Sequence, residues 1–367
     1  MKILFIGLTE NTSIRGVERY CIEILKIFNK NSYLKVTLIL GQWQRYYNPL
    51  ELNTINFLFV KCSNTKISRH FYLIKEIRQL SKNYDIVHYA NTLPIIFKNN
   101  CPSVITIHDI AEFFVPEKYS YPQLLYRKLI VLISAGHADR IITVSNFSKY
   151  SISKFLKIKL EKITSIYNGI DHFIHIIDHS KSNKNPEFNN YFLYYGVLER
   201  SKGLDRSIHA FLRLKAFNPE VKFIIAGKKG NAFNDLKRFF DNKSIIYLDF
   251  VNDLDLLGLI KNALAIIFVS EYEGFGFPAI ESFLLNDNII TSNTTSLGEI
   301  AKKFAIQVNP HNVDEIFYGM IKSMQKKNVD YTNEMEIIRQ EVISEFSWVE
   351  ACNKLIQVYN DLATIQL

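Results

Sequence analysis

Glu273 and Glu281 bracket a compact stretch, Glu273-Gly274-Phe275-Gly276-Phe277-Pro278-Ala279-Ile280-Glu281, with two glycines and a proline between them. Paired carboxylates can serve as an acid/base pair or as acceptors for ligand hydroxyls. An apolar run, 263–269, precedes them and reads as a buried strand. Ile280, Phe283 and Leu284 follow with the spacing of one helical face. The expected local structure is strand, Gly-rich turn, helix. Pro278 suits the first helical position, and the N–H groups of Phe275, Gly276 and Phe277 would then lie at a helix N-terminus, suited to a phosphate or another polar oxygen. A plainer reading is an ordinary strand–helix turn with a surface Glu favoured by the helix dipole.

Three other loops carry residues of chemical interest. In Ser13-Ile14-Arg15-Gly16-Val17-Glu18-Arg19-Tyr20, Gly16 could admit a ligand to the backbone and the arginines could meet an anion. No GxGxxG is present, which disfavours a dinucleotide-binding unit. His108-Asp109 follows the strand-like 103–107, so His108 either faces a ligand crevice or caps a strand end. In Tyr195-Gly196-Val197-Leu198-Glu199-Arg200-Ser201-Lys202-Gly203, Arg200 and Lys202 could neutralise a leaving diphosphate without a metal; otherwise they form a solvated basic turn. Gly196 and Gly227 each follow a strand-like run.

Two patterns resemble metal sites. Asp253-Leu254-Asp255 opens a helix, where Asp is common for capping, and residues two apart on a helix do not face each other. His172, His175 and His179 could share a helical face, but nothing around them suggests a second layer of support. Neither is read as a metal site.

Alternating strand and helix signals run through the chain and predict α/β architecture, with parallel sheets covered by helices on both faces. With 367 residues, one core would be unusually large. The expected division is an N-terminal domain, 1–172, a polar linker, 173–190, and a C-terminal domain, 191–346, with a terminal amphipathic helix in 347–367. The composition, 48% hydrophobic and 22% charged, is that of a soluble globular protein, and the net charge of +8 favours anionic partners. Four scattered cysteines without a CxxC pair argue against a disulfide framework or zinc site and for a reducing cytosol. The opening seven residues read as a strand rather than a signal peptide, and no run approaches a membrane span.

Taken together and in order, these motifs resemble the retaining GT-B glycosyltransferases of family 4. The two glutamates separated by seven residues resemble the family's signature. The 13–20 loop resembles its GGxERY element, and His108-Asp109 its HD element. Segments 138–148, 167–171 and 292–300, and the Trp348 helix, match further parts, so the resemblance spans nearly the whole chain. It implies a GT-B fold, two Rossmann-like, doubly wound parallel-sheet domains facing across a cleft, and a hexosyltransferase that uses a nucleoside diphosphate sugar, needs no cofactor or metal, and reacts on one face of the sugar without an enzyme nucleophile. Glu281 would accept from ribose hydroxyls. Glu273 would bind hydroxyls of the transferred sugar, helped by the N–H groups of Phe275 and Gly276. Lys202 and Arg200 would hold the diphosphate, His108 would line the sugar pocket, and Gly16 would lie near phosphate and acceptor; Gly196, Gly227 and Phe277 complete the donor set. Against the family pattern, Arg15 replaces the first Gly of its loop, Val197 stands where relatives often have Arg, and Gly298 where many have Pro.

The acceptor implied is a saccharide or lipid-linked saccharide in cell-surface polysaccharide or lipopolysaccharide synthesis, with no role for nucleic acid. The expected location is the cytoplasm, including the inner face of the membrane. Peripheral contact with anionic lipid would use Lys66, Arg69, Lys75, Arg78 and Lys82 with Phe71, Ile74 and Ile77, or 121–128; a sheet-covering helix with a solvated basic face would show the same pattern. The rivals are a GT-B epimerase or phosphorylase, and a non-catalytic sugar-nucleotide-binding protein or scaffold on the same fold.

Overall fold

The computed structural model describes residues 1–12, 14–47, 52–179, 188–326 and 332–364. It divides into two compact units. One comprises Met1–Phe113, Tyr119–Gly169 and Phe346–Leu367, the other Phe114–Lys118 and Ile170–Glu345.

The first unit holds strands β1 (Lys2–Ile6), β2 (Lys35–Gly41), β3 (Asn56–Val60), β4 (Ile86–Tyr89), β5 (Ser103–Thr106), β6 (Arg140–Thr143) and β7 (Ile163–Ser165). They form one parallel sheet in the order β3-β2-β1-β4-β5-β6-β7. The second holds β8 (Tyr191–Tyr195), β9 (Lys222–Ala226), β10 (Ile245–Leu248), β11 (Ala265–Phe268), β12 (Ile289–Ser292) and β13 (Ile306–Val308), ordered β10-β9-β8-β11-β12-β13. These pairings are parallel too. Every residue of β4, β5, β8, β11 and β12 is buried, as expected of strands covered on both faces and encoded by mainly apolar runs.

The strand order reverses direction between β1 and β4 and again between β8 and β11. In such sheets the loops leaving two neighbouring strands diverge to opposite faces at that point and open a crevice. Each unit therefore has one topologically defined place for a ligand.

In the second unit, helices Leu204–Phe217 and Val313–Lys326 cover the sheet, with Phe211, Ile316 and Met320 packed on Phe192, Phe223 and Ile225. In the first, the terminal helix Trp348–Thr364 packs beside helix Gly16–Asn29, with Trp348 near Tyr20 and Tyr359 near Phe28 at ring separations of 6.0 and 6.2 Å. Gly169 makes this crossing possible, because a Cβ there would lie 2.1 Å from the Trp348 backbone nitrogen. A buried relay fixes the helix: Tyr359 Oη lies 2.5 Å from His88 Nδ1, His88 Nε2 2.8 Å from Thr106 Oγ1, and Thr106 Oγ1 2.9 Å from Tyr20 Oη.

The expected linker, 173–190, is in part helical. Helix Asp171–His179 covers its start, and Ile174, Ile177 and Phe173 give it an apolar face, whose periodicity continues past the Asn168-Gly169-Ile170-Asp171 turn. Residues 180–187 lie outside the described residues. Among the described residues no helix is long and apolar enough to cross a membrane, and the four cysteines form no disulfide.

Candidate active site

The second unit's crevice is built by the loops after β8 and β11. They are tied together by the Glu271 N–H donating to the Ser201 carbonyl at 2.8 Å. Across this junction the Lys202 ammonium pairs with the Glu273 carboxylate, both side chains largely shielded from solvent. Lys202 Nζ also sits 5.2 Å from the Phe268 ring centroid.

Helix Phe277–Phe283 begins directly after this pair, one residue earlier than Pro278 suggests. Gly276 caps it with φ of +99°, a left-handed conformation that disfavours any side chain, and a Cβ would lie 2.5 Å from Leu297 Cδ2. Tyr195, the last residue of β8, anchors the helix by donating to the Pro278 carbonyl at 2.9 Å. Ser296 Oγ donates to the carbonyls of Glu273 and Phe275, at 2.8 and 3.1 Å, and fixes the turn.

Glu281 is engaged as well. Its Oε1 lies 3.2 Å from His172 Nε2, and the His172 ring meets Phe277 edge-on at 5.9 Å. His172 was legible in the sequence only as one of three helical histidines. Its position one residue after Asn168-Gly169-Ile170-Asp171 is the signal that could have singled it out. Glu273 and Glu281 thus each have a cationic or polar partner from the same unit.

Gly196 and Gly227 close the crevice on the β9 side. Their φ angles are +129° and +152°, and a Cβ on Gly227 would stand 1.9 Å from the Gly196 carbonyl oxygen. The two expected cations separate. Lys202 lies on Glu273, whereas Arg200 donates through Nε to Asp235 Oδ2 at 2.9 Å and is 59% exposed. A third cation, Arg206, pairs with Glu271 and donates to the Pro310 carbonyl at 2.6 Å, which braces the loop just before Glu273.

The first unit's crevice is a cleft of about 550 Å³ lined by residues following β1, β4 and β5, including Thr9, Asn91 and His108. His108 Nε2 lies 3.0 Å from the Ala90 carbonyl, which can only accept, so Nε2 carries a proton and Nδ1 is left as an acceptor. The Tyr20 ring packs edge-on at 4.8 Å, and burial lowers the His108 pKa from its ordinary value, which favours the neutral ring. Gly16 starts helix Gly16–Asn29 on the surface, and a Cβ there would meet nothing within 4 Å. The fixed group in that loop is Glu18, fully buried, which accepts from the Arg15 N–H at 3.1 Å and the Asn11 amide at 2.8 Å.

The Asp253-Leu254-Asp255 pattern assembles no site. Asn252 caps helix Asp253–Asn262 by accepting from the Asp255 N–H at 3.0 Å, which places the two aspartates in an exposed first turn. Among the described residues no group of three or more His, Cys, Asp or Glu is placed to hold a metal ion; the His179 side chain lies outside them.

Two parallel-sheet units, each with a built switch-point crevice, describe a GT-B architecture. Family models match both: "Glycosyltransferase Family 4" over residues 14–172 and "Glycosyl transferases group 1" over 176–338. The chain is a glycosyltransferase and belongs to this GT-B family. It is similar to O-antigen chain mannosyltransferase B of Escherichia coli, 25% identical over 393 aligned positions that cover 98% of this chain and 99% of the relative. Among solved structures it resembles a glycosyltransferase from Rickettsia africae ESF-5, with a TM-score of 0.73, 20% identity and 98% of each chain covered. It also resembles Anabaena HepE, solved with UDP and glucose, with a TM-score of 0.68, 17% identity, and 99% of this chain and 100% of that one covered.

Proposed function

We propose that the chain transfers a hexose from a nucleoside diphosphate sugar to a saccharide or lipid-linked saccharide acceptor in cell-surface polysaccharide synthesis, with retention of anomeric configuration. The observation that carries this reading is the paired array Lys202–Glu273 and His172–Glu281 around the capped helix at the β8/β11 switch point. It offers a cation for a diphosphate and two carboxylates for hydroxyls. The kinship with an O-antigen mannosyltransferase supports a hexosyl donor and a surface-glycan acceptor.

In this reading the second unit carries the donor. Lys202 exchanges Glu273 for the diphosphate and stabilises its charge as the glycosidic bond breaks. Glu273, released, accepts from hydroxyls of the transferred sugar. Glu281 keeps one oxygen on His172 and offers the other to the ribose diol. Arg200 must leave Asp235 to reach the diphosphate, so its part is smaller. No enzyme group acts as nucleophile; the leaving phosphate takes the acceptor proton, and His108 presents Nδ1 to a substrate hydroxyl. No metal or organic cofactor takes part.

The first unit carries the acceptor and rests on anionic lipid. Ile67 and Phe71 on one helix, and Tyr121, Leu125, Leu129 and Leu132 on helix Tyr121–His137, are exposed, with Lys75, Arg78 and Lys82 also exposed beyond the former. His70 and Tyr126 stack at 5.6 Å and join the two helices. Arg69 is no part of this face: it is buried and bound to Asn64 and Glu10.

A thermal-shift screen of GDP- and UDP-sugars, followed by NMR of the product's anomeric coupling, tests the donor and the stereochemistry. No shift with any nucleotide sugar, or an inverted product, defeats the reading. Activity lost to EDTA and restored by Mn²⁺ would overturn metal independence. Sedimentation with phosphatidylglycerol vesicles but not with neutral ones is expected of the lipid-facing surface; equal sedimentation with both removes it.

A further inference from the structure

In a chain with a net charge of +8, the first unit's cleft is an acidic island. Glu10, Glu18, Asp109 and Glu112 line it against two arginines, Arg69 and Arg127, a balance of two negative charges with the histidines neutral. Both arginines are already committed to cleft acids: Arg69 Nη2 lies 3.1 Å from Glu10 Oε2, and Arg127 Nη2 lies 3.7 Å from Glu112 Oε2.

Glu112 is the unusual member. Its side chain is 2% exposed, yet Oε2 makes no hydrogen bond, since Arg127 stands beyond hydrogen-bonding distance. A buried carboxylate oxygen without a donor is costly, and such groups in native structures call for an explanation. Burial also raises the Glu112 pKa, with Arg127 opposing the shift. Arg127 is half-exposed, resting over the Tyr119 ring at 4.7 Å, so a small rotation of its side chain would uncover Oε2 to the cleft. Tyr119 and Tyr126 supply aromatic surface to the same space.

We propose that this cleft seats an uncharged saccharide ring, one of whose hydroxyls donates to Glu112 Oε2, and that it discriminates against a phosphorylated sugar. This deepens the acceptor half of the proposed function and rests on it. A hydroxyl-rich neutral ligand supplies the donor that Glu112 lacks. A phosphate dianion would meet four carboxylates against two arginines, a net negative lining that is unfavourable to it in a partly desolvated cleft.

Saturation-transfer NMR on the full chain tests this. The neutral probes are the methyl α-glycosides of mannose, glucose, galactose and rhamnose; the charged probes are the 6-phosphates of mannose, glucose and galactose. At least one neutral glycoside should bind, no less than about fivefold tighter than any phosphate. Glu112→Gln should weaken it several-fold and Glu112→Leu about tenfold or more, the loss of a hydrogen bond to a charged acceptor. The unfolding midpoint of both variants should stay level or rise, because they remove a buried carboxylate that has no hydrogen bond at Oε2 and only the half-exposed Arg127 opposite it. Failure of every neutral glycoside to bind, tighter binding of a phosphate, unchanged affinity in Glu112→Leu, or a midpoint lowered by several degrees in Glu112→Gln would each overturn the proposal. UDP and GDP binding, followed in the same samples, separates the two levels. Nucleotide binding without glycoside binding refutes only the Glu112 assignment; absence of nucleotide binding in the wild type strikes the proposed nucleotide-sugar donor itself.

Discussion

The two switch-point crevices share a topology but are made of different material. In the second unit the ligand space is shaped by backbone. Gly196, Gly203, Gly227 and Gly276 all have positive φ, and at the last three a Cβ would collide with neighbouring backbone or with Leu297. In the first unit no described glycine has positive φ, and the cleft is defined by side chains such as Glu112, His108 and Tyr119. A diphosphate can be held by backbone N–H groups and a cation whatever sugar it carries. An acceptor must be told from other sugars, which takes variable side chains. A backbone-built site tolerates little change in its glycines, whereas a side-chain-built site tolerates change everywhere except at its contacts.

The largest effect should come from Gly227→Ala. The added Cβ would strike the Gly196 carbonyl at 1.9 Å, and the φ of +152° disfavours any L residue. A loss of about 3 kcal/mol or more in unfolding free energy is expected, measured by denaturant titration. A loss under about 1 kcal/mol would mean that the crevice relaxes easily and is not backbone-built.

Lys202→Ala should reduce kcat by about 10²–10³-fold with the fold intact by circular dichroism, the scale seen when one stabilising donor is removed from a site of developing charge. Arg200→Ala should cost tenfold at most, because its guanidinium is occupied by Asp235. Equal losses for the two would show that Arg200 leaves Asp235 in the working enzyme.

A pH effect sharpens the contrast from the first unit. Burial lowers the His88 pKa from 6.5 to about 3, so between these values the unfolded chain binds a proton that the folded chain refuses. Stability is therefore full above pH 6.5 and is lost as pH falls toward 3. His88 alone accounts for about 2 kcal/mol between pH 7.5 and 5. His88→Asn should lower overall stability, by disturbing the relay to Tyr359 and Thr106, while flattening the slope of stability against pH. An unchanged slope would assign the acid sensitivity elsewhere.

What the sequence reveals follows the same division. Both sheets were legible, because buried parallel strands are continuous apolar runs. The Glu273–Glu281 turn was legible because Gly and Pro leave marks at fixed offsets. The partners of those acids were not. Lys202 to Glu273 spans 71 residues and His172 to Glu281 spans 109, and no local spacing encodes either pair. Arg200 and Lys202 look equivalent in the sequence; only Asp235, placed by a distant helix, draws one away. The first-unit cleft left less trace still. Glu112 lies just past His108-Asp109, but that motif does not single it out, and it is identified only by its burial and the missing hydrogen bond at Oε2.

His172→Ala tests whether the acids are held or merely present. Without the ring at 3.2 Å, Glu281 gains freedom that donor binding must remove. The donor KM and the nucleotide Kd should rise about tenfold, with kcat changed less than threefold, and His172→Asn should recover part of the loss. A kcat loss with KM unchanged would give His172 a part in the chemical step.

The smallest effect should come from Gly16→Ala, which bears on the first unit's side of the contrast. Gly16 is exposed at the start of a helix, its φ is not left-handed, and a Cβ would touch nothing within 4 Å. Alanine should therefore change unfolding free energy by no more than about 0.5 kcal/mol, with any change toward stability, since Ala is the better helix former. Turnover should stay within about threefold if substrate in this unit is met by side chains. A fall in kcat/KM beyond tenfold at unchanged stability would show that substrate approaches the backbone at Gly16 too closely for a methyl group. The first unit would then share the second's backbone-built character, and the glycine of its N-terminal loop would join Gly227 and Gly276 as a residue fixed by geometry.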